Sequence, residues 1–515
     1  MAGLSEDPDR QVIPRWRSFK STLDHGELSS LSVPTDPHDW SGALDELSKD
    51  WSHHKGISTA ADLLSAAFVS GRESDAADAA RFLLTQNGVP FGARTIAAIC
   101  LQKLGERGPL ITEALSQVDP AESPVSHSAH ERQFQIEIHT AREQLSNYPR
   151  NAALWSNLSR LYASVGSLKK AKGAMRVALG LAPENRFILR AAARLMLHHR
   201  EVRQAHLLLA SAKTLKHDPW VLSAEIATAG VLGRTSKHIK LARKMLETGR
   251  FNPIHVSELA SALGTLEAAA GNRKASRLLI SQSLQSPSEN AVAQAAWLAR
   301  NAGILTSTGV EVSLSAEATA WQSFRVANWS RSIQGTRDWW ADQPFSSRPA
   351  IHGSHIASTV LEDYDQAIEF AQFALLSNPG DVCLYNNLAF ALAQQGNVMR
   401  AAKELSRIDR TSVSAAQLIY VLATAGLIEF RSGRIEAGRA LYRESFDVAR
   451  DFNLERGKLA LVYLALEELR SGLPSAEESR RKALDAASGL TELWCQVVVS
   501  RLRSYPSTVG HTLSS

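Results

Sequence analysis

Cysteine is scarce in this 515-residue chain. The three present, Cys100, Cys383 and Cys495, stand too far apart for a CxxC metal or redox motif, and an odd number does not make a disulfide framework. Such usage fits a reducing, cytosolic compartment. Long apolar runs are missing as well: stretches such as Ala460 to Leu466 fall well short of the roughly 20 residues a membrane helix needs. The N-terminus, polar and acidic from Met1 through Asp9 to Lys20, has no apolar core of the kind a secretion signal carries. The expectation is a soluble, cytoplasmic protein with no membrane partner.

Catalytic signatures are missing too. There is no GxxxxGK(S/T), no strand-followed GxGxxG, no HExxH, no Cys/His zinc spacing and no GxSxG elbow. The adjacent pairs His53-His54 and His198-His199 point in different directions on a helix and lack a second ligand cluster. Paired acids such as Glu362-Asp363 and Glu477-Glu478 suit helix starts, where carboxylates favour the dipole. No catalytic residue, cofactor or metal is expected, and the chain reads as a non-enzyme.

What the sequence does contain is helix. Hydrophobic residues make up 44% and charged residues 21%, so the chain can fold, yet its length exceeds what one core serves. From about residue 57, segments rich in Ala, Leu, Arg and Glu alternate with turns at Gly71, Gly166, Gly271, Asn378-Pro379-Gly380, Gly396 and Gly433, while period-two strand patterns are almost absent. That spacing predicts helical hairpins, which calls for a repeat search. Trp155, Leu158, Tyr162, Gly166, Ala171, Met175, Ala178 and Pro183 form one unit, and Tyr385, Leu388, Leu392, Gly396, Ala401 and Leu405 repeat it. Looser units run over Arg186–Pro219, Trp220–Pro253, His255–Pro287, Leu422–Ala449 and Leu459–Ala487. Small residues such as Ala171 and Ala178 belong where two helices approach, and Trp155, Leu158 and Tyr162 fill the space between them.

On these residues the chain resembles the tetratricopeptide repeat (TPR) family over well over half its length, with Ser159 and Met175 where the family has Gly and Phe. The resemblance implies an all-α, right-handed superhelical solenoid of helix-turn-helix repeats in two arrays. The expected organisation is an irregular N-terminal arm (1–56), helical hairpins and a linker (57–130, with Asp119–His130 as linker), array 1 (131–304), an aromatic-rich junction (305–350), array 2 (351–505) and a tail (506–515). The junction, with Trp321, Phe324, Trp329, Trp339, Trp340 and Phe345 near Pro344 and Pro349, reads as rings plugging an irregular connection.

In this family the first helix of each repeat lines a concave groove. The resemblance therefore implies groove positions at Ser156, Asn157, Arg160 and Ser164, then Arg190, Arg194 and His198 four residues apart on one face, then Asn386, Asn387, Phe390 and Gln394. Asn157 matches the asparagine of the family's carboxylate clamp, but Phe187 and Ala191 stand where its Lys and Arg would be, so the clamp is not reproduced.

Charge is unevenly spread. The net charge of +5 hides −7 over residues 1–150, +13 over 151–250, +1 over 251–305 and −2 over 306–515. Much of the basic excess lies on second helices, at Lys169, Lys170, Lys172, Arg176, Lys237, Lys240, Arg243 and Lys244. A solvated convex face accounts for these, and a patch for acidic protein segments or nucleic-acid phosphate is the functional alternative. The expected role is a protein-protein interaction scaffold or adaptor holding a peptide or helix of another protein, an acidic one included, in regulation or complex assembly. The alternative is a nucleic-acid-associated repeat protein. The acidic N-terminal part is expected to fold back on the basic repeats, or on those of a second copy as a homo-oligomer, and to compete with an outside ligand.

Overall fold

The computed structural model describes residues 13–16, 44–116, 129–305, 310–411 and 413–506. Most of the expected arm, the linker from Asp119 to Ser128 and the tail beyond Pro506 lie outside these. The chain divides into two compact units, Met1–Ala318 and Thr319–Ser515. Among the described residues regular structure is helical throughout, and no helix is long and apolar enough to cross a membrane.

Unit 1 contains α1 (Leu44–His53), α2 (Ile57–Val69), α3 (Glu73–Thr85), α4 (Phe91–Lys103), α5 (Pro109–Ser116), α6 (Ala129–Asn147), α7 (Ala152–Ser164), α8 (Leu168–Leu181), α9 (Arg186–His198), α10 (Val202–Ser211), α11 (Pro219–Val231), α12 (Ile239–Glu247), α13 (Pro253–Ala269), α14 (Arg273–Ser283) and α15 (Glu289–Ala302). Helix α16 (Ala316–Arg325) runs across the division. Unit 2 continues with α17 (Trp329–Asp342), α18 (Ser347–His355), α19 (Tyr364–Ser377), α20 (Val382–Gln394), α21 (Val398–Leu405), α22 (Ala415–Arg431), α23 (Ile435–Asp451), α24 (Leu459–Arg470), α25 (Ala476–Ala486) and α26 (Leu493–Ser504).

Each unit is a stack of TPR-like hairpins in which first helices lie beside first helices. The wall so formed is α7, α9, α11, α13 and α15 in unit 1, and α18, α20, α22, α24 and α26 in unit 2. Local chemistry starts these helices cleanly. Asn151 accepts from the Ala153 and Leu154 N–H groups, Asn185 from Phe187 and Ile188, Asp218 from Trp220 and Val221, and Asp381 from Leu384. Each such cap contributes about 1 kcal/mol. Inside the hairpins Gly166 and Gly396 turn the chain at φ 72° and 88°, a region open to glycine without strain.

A serine ties the two helices of several hairpins where they come closest. Ser159 donates to the Ala171 carbonyl at 2.7 Å, Ser276 to Gly264 at 2.8 Å, Ser332 to Ala320 at 2.8 Å and Ser445 to Ile419 at 2.7 Å. Ser159 thus supplies a buried bond where the resembled family has only the small size of glycine.

The stretch 305–350 differs from the irregular connection expected of it. Its rings sit on helices except Phe345, which is in a turn: Trp321 stacks on His352 at 4.1 Å, Phe324 meets Trp329 edge-on at 5.5 Å, and Trp340 packs on Phe370 and Phe373 at 4.8 and 5.5 Å. The prolines do not break this pattern. Pro344 falls in the turn after α17 and Pro349 in the first turn of α18, where no N–H is needed for the helix ladder.

Candidate functional site

The wall of unit 1 carries the chain's own N-terminal segment. Ile13, Pro14, Arg15 and Trp16 lie outside any helix and are all buried. Trp16 is wholly inaccessible, and its indole N–H donates to Ser156 Oγ on α7 at 3.2 Å. Ile13 joins the apolar cluster that includes Leu189, Ala193, Val221 and Leu222 from α9 and α11, and its carbonyl accepts from Asn290 Nδ2 on α15 at 2.8 Å. Arg15 lies between Glu317 Oε2 at 2.6 Å and Glu289 Oε1 at 3.4 Å. The segment is therefore held from both ends of the wall by apolar burial, a backbone contact and an ion pair. These are the means by which grooves hold extended peptides.

The basic groove residues expected from sequence are largely structural. Arg190, 2% exposed, donates from Nη1 to the Trp220 carbonyl at 3.0 Å and from Nη2 to Glu258 Oε2 at 2.9 Å, with its guanidinium over the Trp220 ring. Glu258 also accepts from Ser288 Oγ at 3.2 Å. Arg160 and Arg194 are buried, Arg160 beside Asn157 Oδ1 at 3.4 Å, and His198 is half-buried against His199. Glu225, Glu258 and Glu289 give this wall its carboxylates, and Glu317 on α16 adds one beside it.

On the second helices, Lys172 pairs with Glu201 at 2.5 Å, Arg243 pairs with Glu267, Arg176 stacks on Phe91 at 4.2 Å and Lys170 lies over Tyr162 at 5.5 Å. Lys169, Lys237, Lys240 and Lys244 are exposed.

In unit 2, Asn386, Asn387 and Phe390 do converge, on a pocket that sequence reasoning left unfinished. Its other walls are His355 and Thr359 from α18 and the π-helical turn Ile356–Leu361, Tyr420 and Thr424 from α22, Tyr463 from α24 and Trp494 from α26. Asn387 is held by Ser354 Oγ at 2.9 Å, Phe390 meets Tyr463 edge-on at 5.5 Å, and His355 meets Trp494 at 4.7 Å. Arg501 secures the π-turn by donating to the Thr359 and Val360 carbonyls at 2.7 and 2.6 Å. Gln394 points elsewhere, accepting from Arg431 and Arg470. The first-helix rule could locate Tyr463 within the Leu459–Ala487 hairpin; His355 and Trp494 carry no repeat signal.

Burial, with Arg456 adding to it, pushes the His355 imidazole down to about 4. It is neutral at pH 7. Because the folded state binds this proton less readily than the unfolded chain, the stability it contributes is fully present above pH 6.5 and drains away as pH falls toward 4. Unit 2 is expected to lose about 2–3 kcal/mol over that interval. The loss should shrink in His355→Gln, as read by urea titrations at pH 7 and 4.5; an identical loss in both proteins would contradict the assignment. Burial likewise pushes the thiols of Cys100, Cys383 and Cys495 up to about 12, 11 and 12, so all three are protonated at neutral pH.

No family model matches the sequence, and no curated protein matches it. Solved structures similar to this chain include the APC/C hetero-tetramer Cut9–Hcn1, at 13% identity over 90% of this chain and 93% of that one, TM-score 0.36. The human IFIT1 dimer with PPP-AAAA matches at 15% identity over 73% and 99%, TM-score 0.33. Yeast Tom70 matches at 14% identity over 73% and 93%, TM-score 0.27. All three are TPR-repeat proteins.

Proposed function

We propose that this chain is a non-catalytic interaction scaffold that holds an extended segment of a partner protein on the wall α7 to α15. The observation that supports this is the seating of Ile13–Trp16 there, with the indole on Ser156, the Ile13 carbonyl on Asn290 and Arg15 between Glu289 and Glu317. The segment behaves as a built-in competitor. A partner able to replace it needs the same chemistry: an aliphatic and an aromatic anchor about three residues apart, with a cation between them. That is a basic-aromatic segment, the reverse of the acidic peptide expected from net charge.

A labelled peptide of residues 10–20 added in trans tests this. The full chain carrying Trp16→Ala should bind it at least about tenfold more tightly than the wild type, since removing a buried aromatic anchor releases the internal competitor. Equal, weak binding to both would refute the reading. The nucleic-acid alternative is supported by the exposed Lys169, Lys237, Lys240 and Lys244. It predicts a gel shift that falls steeply with salt and is lost when these four are replaced by Glu.

A further inference from the structure

The two walls are related position by position. Ser156, which accepts the Trp16 indole N–H, is the fifth residue after the N-cap Asn151. Asn386 is the fifth residue after the N-cap Asp381, on a helix of the same 13-residue length. Asn386 is 9% exposed and lines the unit 2 pocket, and its Oδ1 has no hydrogen-bond partner; Tyr463, on the wall helix α24, also lines the pocket and its buried hydroxyl has none either. A buried acceptor left without a donor costs about 1–3 kcal/mol, and a ligand N–H that reaches it removes that cost.

The rest of the lining says what carries that donor. Phe390, Tyr420, Tyr463 and Trp494 present ring surface, and the imidazole of His355 is uncharged at neutral pH. Among the described residues no carboxylate lines the pocket, and the one cation that does, Arg456, is paired with Glu492 at 2.9 Å.

We infer that the unit 2 pocket is a tryptophan site: it takes the indole side chain of an extended partner segment, with the indole N–H donated to Asn386 Oδ1 and the ring stacked among Phe390, Tyr463 and Trp494. This rests on the reading of the unit 1 wall as a peptide site, because that wall supplies the precedent of an indole N–H received at the same repeat position. The scaffold then has two grooves for one kind of anchor, the first covered by its own segment and the second open to a partner.

The test titrates the full wild-type chain with the blocked tetrapeptide acetyl-Ile-Pro-Arg-Trp-amide and with the same peptide carrying 1-methyltryptophan, which keeps the ring and lacks the N–H. The methylated peptide should bind about tenfold more weakly, as a site built around a hydrogen bond rejects an analogue that cannot make it. Asn386→Leu should bring the two peptides to the same weak affinity. Loss of binding in Ser156→Ala but not in Asn386→Leu would place the peptide on unit 1, overturning this inference and sparing the unit 1 reading. Equal affinity of the two peptides for the wild type overturns it without any variant having to fold. A dimer of the full chain that Trp16→Ala abolishes would make the occupant a second copy, and would overturn the assignment to a partner protein.

Discussion

Replacing Glu258 by alanine is expected to destabilise unit 1 by about 3–5 kcal/mol, because it breaks a buried ion pair by removing one partner. Arg190 and Glu258 are each 2% exposed and meet at 2.9 Å, far from any solvent that could take over the interaction. The pair is completed by the Trp220 carbonyl on Arg190 and by Ser288 on Glu258, so α9, α11, α13 and the cap of α15 are joined through one network. Removing the carboxylate takes from the guanidinium its countercharge at 2.9 Å. Replacing both partners at once, Arg190→Met with Glu258→Leu, should cost much less, since the expense of a buried pair lies in its desolvation and a packed apolar pair avoids it. Urea unfolding of the three proteins measures the difference. A Glu258→Ala variant within about 1 kcal/mol of wild type would mean that the network is hydrated in solution.

The same network corrects the obvious mutational test of groove function. Reversing Arg190 and Arg194 to Glu would set a carboxylate against Glu258 in the interior, so a lost partner would report an unfolded wall and not a lost contact. Ser156 and Asn290, which touch the seated segment directly, separate the two effects better.

The hairpins were legible in the sequence because their determinants recur at fixed spacing. Trp155, Leu158 and Tyr162 with Gly166 and Ala171 identify a hairpin wherever they fall, and the helices begin at the Asn and Asp caps that precede such runs. The groove side of the first helices was legible by the same rule, which brought Ser156, Asn386 and Asn387 into view. What lies in the groove was not. Ile13 and Trp16 stand alone in a proline-bearing acidic arm with no periodicity to mark them, and their partners are more than a hundred residues away. Net charge pointed the wrong way for the contacts described. It suggested an acidic arm on basic repeats, whereas Arg15 of that arm meets carboxylates of the wall, because an ion pair depends on individual neighbours and not on segment totals. The unit 2 pocket was half legible: Asn386 and Phe390 follow the repeat, but His355 reaches the site only through a π-turn that no pattern announces.

Trp155→Ala is expected to cost about 3–5 kcal/mol, the range for deleting a buried tryptophan. The side chain is 2% exposed, its indole N–H donates to the Pro149 carbonyl at 2.7 Å, and it lines one cleft with Leu158, Tyr162 and Leu145 of α6. Alanine would leave both a cavity and an unpaired carbonyl at the mouth of the α6–α7 turn. The distribution of the damage is the sharper prediction. In a stack where each hairpin is buried only by its neighbours, stability is a sum of local and nearest-neighbour terms. Amide exchange should therefore rise across α6 to α9 and stay at its wild-type level from α20 to α25. The wall would lose Ser156 with the rest of α7, so the site for the Trp16 indole should fail together with the helix that carries it. A uniform rise in exchange through both units would mean that the chain unfolds as one cooperative body and that the hairpins are not its independent elements.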